Sequence, residues 1–355
     1  MTAVHVVVPG TVDDPALPSG GNTYDRQVCA GLPALGWSVH QHPVPGPWPW
    51  PDARARASLG RVLASLPDGA VALLDGLVAS GSPEVVVPEA DRLRLVVLVH
   101  MPFGGRPDGD DSGPAGAGEC AVLSAAAAVL TTSDWTRRWL LDRYALDPTR
   151  VHVAEPGAEP AALAPGTPEG SELLCVAAVI PGKGHDQLLT ALAGVADLPW
   201  RCVCAGALTL DPVLAQRLLR QARGSGIADR VRFVGSLAGD DLDRVYAASD
   251  VLLLASRAET YGLVVTEALA RGLPVVATSV GGLPEALGRG PDGTRPGLLV
   301  PPEDPAALSA AVRSWLCESE VRERLRRAAR GRRVTLPTWS ATSRTVAGVL
   351  AQVAA

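Results

Sequence analysis

Residues 250–278 read DVLLLASRAETYGLVVTEALARGLPVVAT. Each end is a short, mostly apolar run, 250–254 and 274–278. The middle opens near Gly262 into a helical pattern. A strand apolar on both faces has no solvent side and must be covered on both, which is the condition of a parallel sheet with helices on each face. The same rhythm extends outward along the chain. Strands are predicted near 4–8, 38–41, 70–75, 94–99, 128–131 and 151–153, and a second series near 172–179, 201–205, 231–234, 250–254, 274–278 and 297–300. Two such series in 355 residues predict an α/β protein of two doubly wound, Rossmann-like domains. The stretch 155–170, EPGAEPAALAPGTPEG, breaks the rhythm and marks the junction. The expected domains are 1–160 and 161–336, with a last helix over 337–355.

Composition narrows the function. Charged residues are 19% and hydrophobic ones 47%, so the chain is globular. No apolar run nears the roughly 20 residues of a membrane helix. Met1 leads straight into Val4–Val8 with no basic leader, so the expected location is the cytoplasm. A net charge of −5 argues against nucleic acid as a partner. The one basic block, 322–333, is either a solvated helix face or a peripheral contact with anionic lipid. The six cysteines form no metal-ligand pattern and are read as reduced core residues. Asp241 and Asp243 follow an apparent helix start, where capping and the dipole explain them, so no metal site is expected. Lys183 is the one lysine among 32 basic residues, and an ammonium is a compact point charge that arginine does not replace.

Four places carry chemistry. Ser19-Gly20-Gly21-Asn22 follows the first strand and precedes a helix expected over 23–35. Glycine admits a ligand to the backbone, and a helix start offers free N–H groups to an anion. The spacing is not that of a dinucleotide turn, and no acidic residue ends the second strand, where His40 and His42 stand; a nicotinamide dehydrogenase is disfavoured. Pro181-Gly182-Lys183-Gly184 suits a phosphate but lacks P-loop spacing. Glu259 and Glu267 lie eight positions apart, one in a loop after a strand and one inside the next helix. They can accept hydrogen bonds from sugar and ribose hydroxyls, with helix-start amides between them for a diphosphate. His100 ends a strand, where sites of α/β domains form, and could donate to a hydroxyl or act as a base.

In order, Gly20-Gly21, His100, Lys183-Gly184 and ETYGLVVTE (259–267) resemble glycosyltransferase family 4, of the GT-B fold with its inter-domain cleft. So do TTSDWTRRWL (131–140), EPGAEP (155–160), FVGSL (233–237), YAASDVLLLAS (246–256), RGLPVVATSVGGLPE (271–285) and the start of a last helix at Trp339. The resemblance covers nearly the whole chain. It implies a retaining, metal-independent transfer of a sugar from a nucleotide-sugar, by family frequency a UDP-sugar, to a small-molecule or lipid-linked acceptor, with no cofactor. It implies an N-terminal acceptor-side domain, a C-terminal donor domain and a last helix that crosses back to the N-domain. Glu259 would contact the transferred sugar and Glu267 the ribose. Lys183 and the amide of Gly21, beside Gly20, would neutralise the diphosphate. Amides of Tyr261, Gly262 and Leu263 would meet the distal phosphate or sugar, Gly235-Ser236 the base, and His100 the sugar near the reacting centre. Asn22, Tyr24 and Arg26 are candidates to face the acceptor.

One departure stands out. The family's G-R pair falls here on Ala177-Ala178, so another arginine, for instance Arg26, Arg106 or Arg257, would have to supply the second phosphate charge. A nucleotide-sugar epimerase of the same fold and a non-catalytic binding member are the alternatives.

Overall fold

The computed structural model describes residues 2–14, 19–103 and 114–355. It separates into two compact units, Met1–Gly157 with Pro337–Ala355, and Ala158–Leu336.

The first unit is built on a six-stranded parallel sheet of order β2-β1-β3-β4-β5-β6. Its strands are β1 Thr2–Pro9, β2 Trp37–Val44, β3 Val71–Asp75, β4 Arg94–Val99, β5 Ala128–Thr131 and β6 Val151–Val153. Every residue of β3 is buried, as an apolar strand between two helical layers requires. The last helix, Trp339–Ala354, belongs to this unit. It lies so close to the helix Gly20–Gly31 that a methyl group at Gly31 would overlap the Ser343 hydroxyl. Thr342 Oγ1 donates to the Glu155 carbonyl at 2.6 Å, and Arg94 Nη1 donates to the Val353 carbonyl at 2.8 Å.

The second unit repeats the plan, with order β12-β11-β10-β7-β8-β9. Its strands are β7 Glu172–Val176, β8 Arg201–Ala205, β9 Val231–Gly235, β10 Val251–Leu254, β11 Val275–Thr278 and β12 Gly297–Val300. The strand expected over 172–179 stops at Val176. Ala177 and Val179 still donate to the carbonyls of Ala205 and Ala207 at 2.9 Å, and Gly206 lies where a side chain would overlap the Ala177 carbonyl. Cys175, Cys202 and Cys204 are buried in this core, whereas Cys317 is exposed.

In each sheet the chain fills one side and then the other. The order reverses between β1 and β3 in the first unit and between β7 and β10 in the second. At such a point the loops leave the strand ends in opposite directions and open a crevice at the carboxyl edge.

No described helix is long and apolar enough to cross a membrane. In the basic helix Ser319–Arg333, the sequence-level choice between a solvated face and a lipid contact divides residue by residue. Arg322 donates to the Trp315 and Leu316 carbonyls. Arg326 pairs with Asp250 at 3.0 Å, and Arg333 donates to Ala270 and Ala161. Arg324, Arg327 and Arg330 remain exposed.

Candidate active site

The loops after β7 and β10 flank the reversal in the second sheet, and they carry Lys183 and Glu259. Lys183 closes a 3-10 turn, Pro181–Lys183. Gly184 follows in the left-handed region at φ 64°, and a side chain there would overlap the Ala255 carbonyl. The glycine therefore lets the Lys183 loop rest directly on the end of β10. From there Lys183 Nζ donates to Glu259 Oε1 at 2.5 Å, and Ser256 Oγ donates to the same oxygen at 3.0 Å. Glu259 is only 9% exposed. A carboxylate this buried must be paired and hydrogen-bonded, and both conditions are met.

The backbone around Glu259 is fixed by two more glycines. Side chains at Gly281 and Gly282 would overlap the carbonyls of Glu259 and Thr260, and Gly282 N–H donates to Glu259 O at 3.0 Å. Gly262, at φ 97°, starts the helix Leu263–Ala270. Any side chain there would strike Leu283. In this first turn Val265 N–H donates to the Gly262 carbonyl at 2.9 Å, while the amides ahead of it have no carbonyl a turn earlier in the helix to bond. Tyr261, just before it, is buried. Glu267 lies four residues inside this helix, where Tyr246 Oη donates to its Oε2 at 2.9 Å. Burial raises the Glu267 carboxyl above its ordinary range, while the Tyr246 hydroxyl and the Arg271 guanidinium pull it back. Arg271 also sits over the Tyr246 ring at 4.5 Å and pairs with Asp243. Gly235 ends β9 with its carbonyl accepting from Gly206 N at 2.8 Å, and Ser236 beyond it is exposed. Lys183, Glu259, Glu267, Gly235 and the Gly262 helix start thus belong to the carboxyl edge of one sheet or the helix that leaves it.

Arg257 is not a spare phosphate ligand. Its guanidinium grips Asp186 through two bonds of 2.9 and 2.8 Å, donates to the Pro181 carbonyl at 2.7 Å and reaches Glu303 at 2.9 Å. These bonds brace the Lys183 loop. The Asp186 carboxyl is held below its ordinary range by that hydrogen-bonded guanidinium. Arg106 lies outside the described residues.

The first unit has its own cluster at the β1/β3 reversal. Its helix starts at Gly20, three residues before the expected Thr23, because Ser19 caps it by accepting from Asn22 N at 3.0 Å. Gly20 and Gly21 are therefore the first turn itself, and continuous helix ends at Gly31, with a 3-10 turn to Leu35. A side chain at Gly21 would press on the His100 ring at 3.2 Å. His100 Nε2 donates to Asp25 Oδ1 at 2.9 Å and lies 3.6 Å from Asp75 Oδ2. Asp75 Oδ1 meanwhile accepts from Leu77 N at 2.6 Å. Burial alone would lower the His100 pKa, but the charge and hydrogen bond of Asp25, with the charge of Asp75, outweigh it and raise it to about 9. Burial and the neighbouring Asp25 charge raise Asp75 to about 7. The donor atoms of Asp25, Asp75 and His100 lie within 4.8 Å of one another, a set whose chemistry suits a divalent cation. Here a direct hydrogen bond closes it.

Two acceptor-side expectations change. Tyr24 is buried, its hydroxyl donates to the Ala154 carbonyl at 2.9 Å, and its ring meets His100 and Trp339 edge-on. It is a core residue and faces no ligand. Arg26 donates to the Val12 carbonyl and to Thr23 Oγ1, and with Asp13 and Gln41 it lines a pocket of about 400 Å³ beside β2. His100 does not line that pocket. Asn22 Nδ2 donates to the Thr11 carbonyl at 3.2 Å.

Asp25, Asp75, Ser256 and Tyr246 were not singled out from the sequence. A signal existed for Asp75: a carboxylate ending an otherwise apolar strand is as pointed as the histidine that follows β4. Asp25 gave none, being one polar residue in a mixed helix.

Residues 165–332 match the family model described as glycosyl transferases group 1. The second unit matches that family over almost its whole length. Among relatives, a D-inositol 3-phosphate glycosyltransferase of Kineococcus radiotolerans is 34% identical over 66% of this chain and 60% of its own length. One of Frankia alni is 33% identical over 70% of this chain and 65% of its own length. The chain thus spans about three fifths of the length of the relatives it matches. Among solved structures, sucrose-phosphate synthase from Thermosynechococcus elongatus superposes with TM-score 0.79 at 21% identity, covering 99% of each chain. Anabaena HepE in complex with UDP-glucose superposes with TM-score 0.79 at 17% identity, over 99% of this chain and 100% of that one. At these identities the superpositions speak for the fold, the paired parallel sheets of GT-B glycosyltransferases.

Proposed function

We propose that this chain is a group 1 glycosyltransferase that moves a sugar from a nucleoside diphosphate donor, a UDP-sugar, to a small-molecule acceptor with retention of configuration. The observation that carries this is the Lys183–Glu259 ion pair at the β7/β10 reversal, on a backbone shaped by three glycines. Lys183 is the compact cation for the leaving diphosphate, helped by the amides at the start of Leu263–Ala270. Glu259, held by Ser256, accepts from hydroxyls of the transferred sugar, and Glu267 accepts from the ribose. The base lies against Gly235-Ser236. In the first unit, His100 and the Gly20-Gly21 amides are the groups offered to bound reactants. The leaving diphosphate oxygen can take the acceptor proton, so no protein nucleophile is invoked. The reaction as proposed uses no metal, and chelator treatment should leave the rate unchanged.

The named relatives favour transfer over epimerisation, since they are glycosyltransferases acting with D-inositol 3-phosphate. A lipid-linked acceptor is the second reading, supported by the exposed Arg324, Arg327 and Arg330 at three-residue spacing. The test is a transfer assay with UDP-sugars and candidate polyol phosphates, run beside K183A and E259A. Each variant should lose roughly 100- to 1000-fold in kcat/KM, the usual cost of removing a preorganised electrostatic contact. Wild-type rates in both variants would refute the assignment. Donor conversion without any acceptor would favour the epimerase.

A further inference from the structure

Resting on His100 as a group offered to reactants, we infer that Asp25, backed by Asp75, is a positioning residue that captures Nε2 of His100 and so leaves Nδ1 as the nitrogen presented to bound substrate. The geometry is specific. Asp25 comes from the helix Gly20–Gly31, Asp75 from the end of β3 and His100 from the loop after β4, and these elements meet at the reversal of the first sheet. Both carboxylates are 3% exposed, which is rare for an acid unless it is paired. Asp25 Oδ1 accepts from Nε2–H at 2.9 Å, while its other oxygen is buried with no hydrogen-bond partner among the described residues other than the neighbouring Asp75 carboxyl. A carboxylate placed only for stability would use both oxygens. This one spends one oxygen on a single ring nitrogen and turns the other toward the Asp75 carboxyl, whose raised pKa favours a shared proton.

The ring has little freedom. Tyr24 stands edge-on to it at 5.3 Å between centroids, and Gly21 lies flush against it, close enough that a methyl group would touch. Tyr24 itself stays neutral, because burial and the Asp25 charge raise its hydroxyl. Among the described residues, the titratable groups packed on His100 are therefore Asp25 and Tyr24 from the helix and Asp75 from β3. With two carboxylates beside it, the ring is an imidazolium at neutral pH. Its Nδ1–H then donates to an oxygen of the substrate, a polarity that a neutral ring bonded through Nε2–H would reverse.

The experiment compares D25N, D75N and the unmodified chain. Asparagine keeps the shape and removes the charge. In D25N, kcat should fall roughly 10- to 100-fold, the scale of one hydrogen bond to a charged group, with donor KM little changed. Its alkaline limb should move from near 9 toward the ordinary histidine value of about 6.5. D75N should show the same shift, smaller. Should D25N fail to fold, 15N NMR of the unmodified protein decides the same question: the His100 ring doubly protonated at pH 8 supports the clamp, and a ring titrating near 6.5 overturns it. Unchanged kcat and pH profile in a folded D25N also overturn it. So does a stoichiometric divalent metal in the purified chain that D25N loses. Running E259A alongside separates the two ideas. Retained activity in E259A with loss in D25N refutes the donor site while the clamp stands, and the reverse pattern refutes the clamp alone.

Discussion

The two crevices use the same place in the same kind of sheet and solve different electrostatic problems. In the second unit one cation meets one carboxylate, and a hydroxyl completes the set. In the first, two carboxylates surround one histidine, and the second Asp25 oxygen meets only the Asp75 carboxyl among the described residues. A balanced pair can open to admit an anion and close again when it leaves. A surplus of buried negative charge instead holds a proton on the ring and makes the cluster sensitive to pH.

The largest effect that would break this contrast belongs to the second crevice, where K183A and E259A should cost roughly 100- to 1000-fold in kcat/KM. Next comes its scaffold. G281A forces a methyl group into the Glu259 carbonyl at φ 54°, and G184A does the same against Ala255 at φ 64°. Each should destabilise by about 1–3 kcal/mol and lower the melting temperature, with activity falling as Glu259 or Lys183 is displaced. The pH response of the first crevice follows. The folded value of His100, about 9, lies above its unfolded value near 6.5, so its contribution is complete below 6.5 and is lost as pH rises through about 9. Asp75, raised from 3.8 to about 7, has the same sign in a lower window, its contribution complete below about 3.8 and lost as pH rises through about 7, so the fall above neutral belongs to His100. Melting temperature should therefore decline on going from neutral pH to beyond about 9, and this decline should flatten in D25N. A flat wild-type profile would remove the contrast. The smallest effect is expected for Y246F, which deletes one hydrogen bond to Glu267 and should cost about 1 kcal/mol.

The same contrast explains what the sequence could disclose. Lys183 with Gly184, Glu259 with Gly262, and Gly281 with Gly282 each stand in a short contiguous motif, although the backbone that Gly184, Gly281 and Gly282 meet lies far along the chain, at Ala255, Glu259 and Thr260. The apolar strands were legible for a local reason, since burial on both faces leaves no room for polar alternation. The first cluster draws on residues 25, 75 and 100, from three separate elements; His100 and Asp75 each close an apolar run, whereas Asp25 carries no such signal. From the sequence Tyr24 is a candidate to face the acceptor. The early start of its helix, set by the Ser19 cap, turns it inward to the Ala154 carbonyl. Arg257 looked like a free cation because its partner Asp186 lies 71 positions away.

The most direct measurement is calorimetric titration of UDP into the wild-type chain and K183A at fixed ionic strength. If Lys183 is the cation for the leaving diphosphate, UDP should bind the variant at least roughly tenfold more weakly, the scale of one charge-assisted contact, while uridine should bind both alike. Equal affinity of UDP for the two proteins would contradict the account.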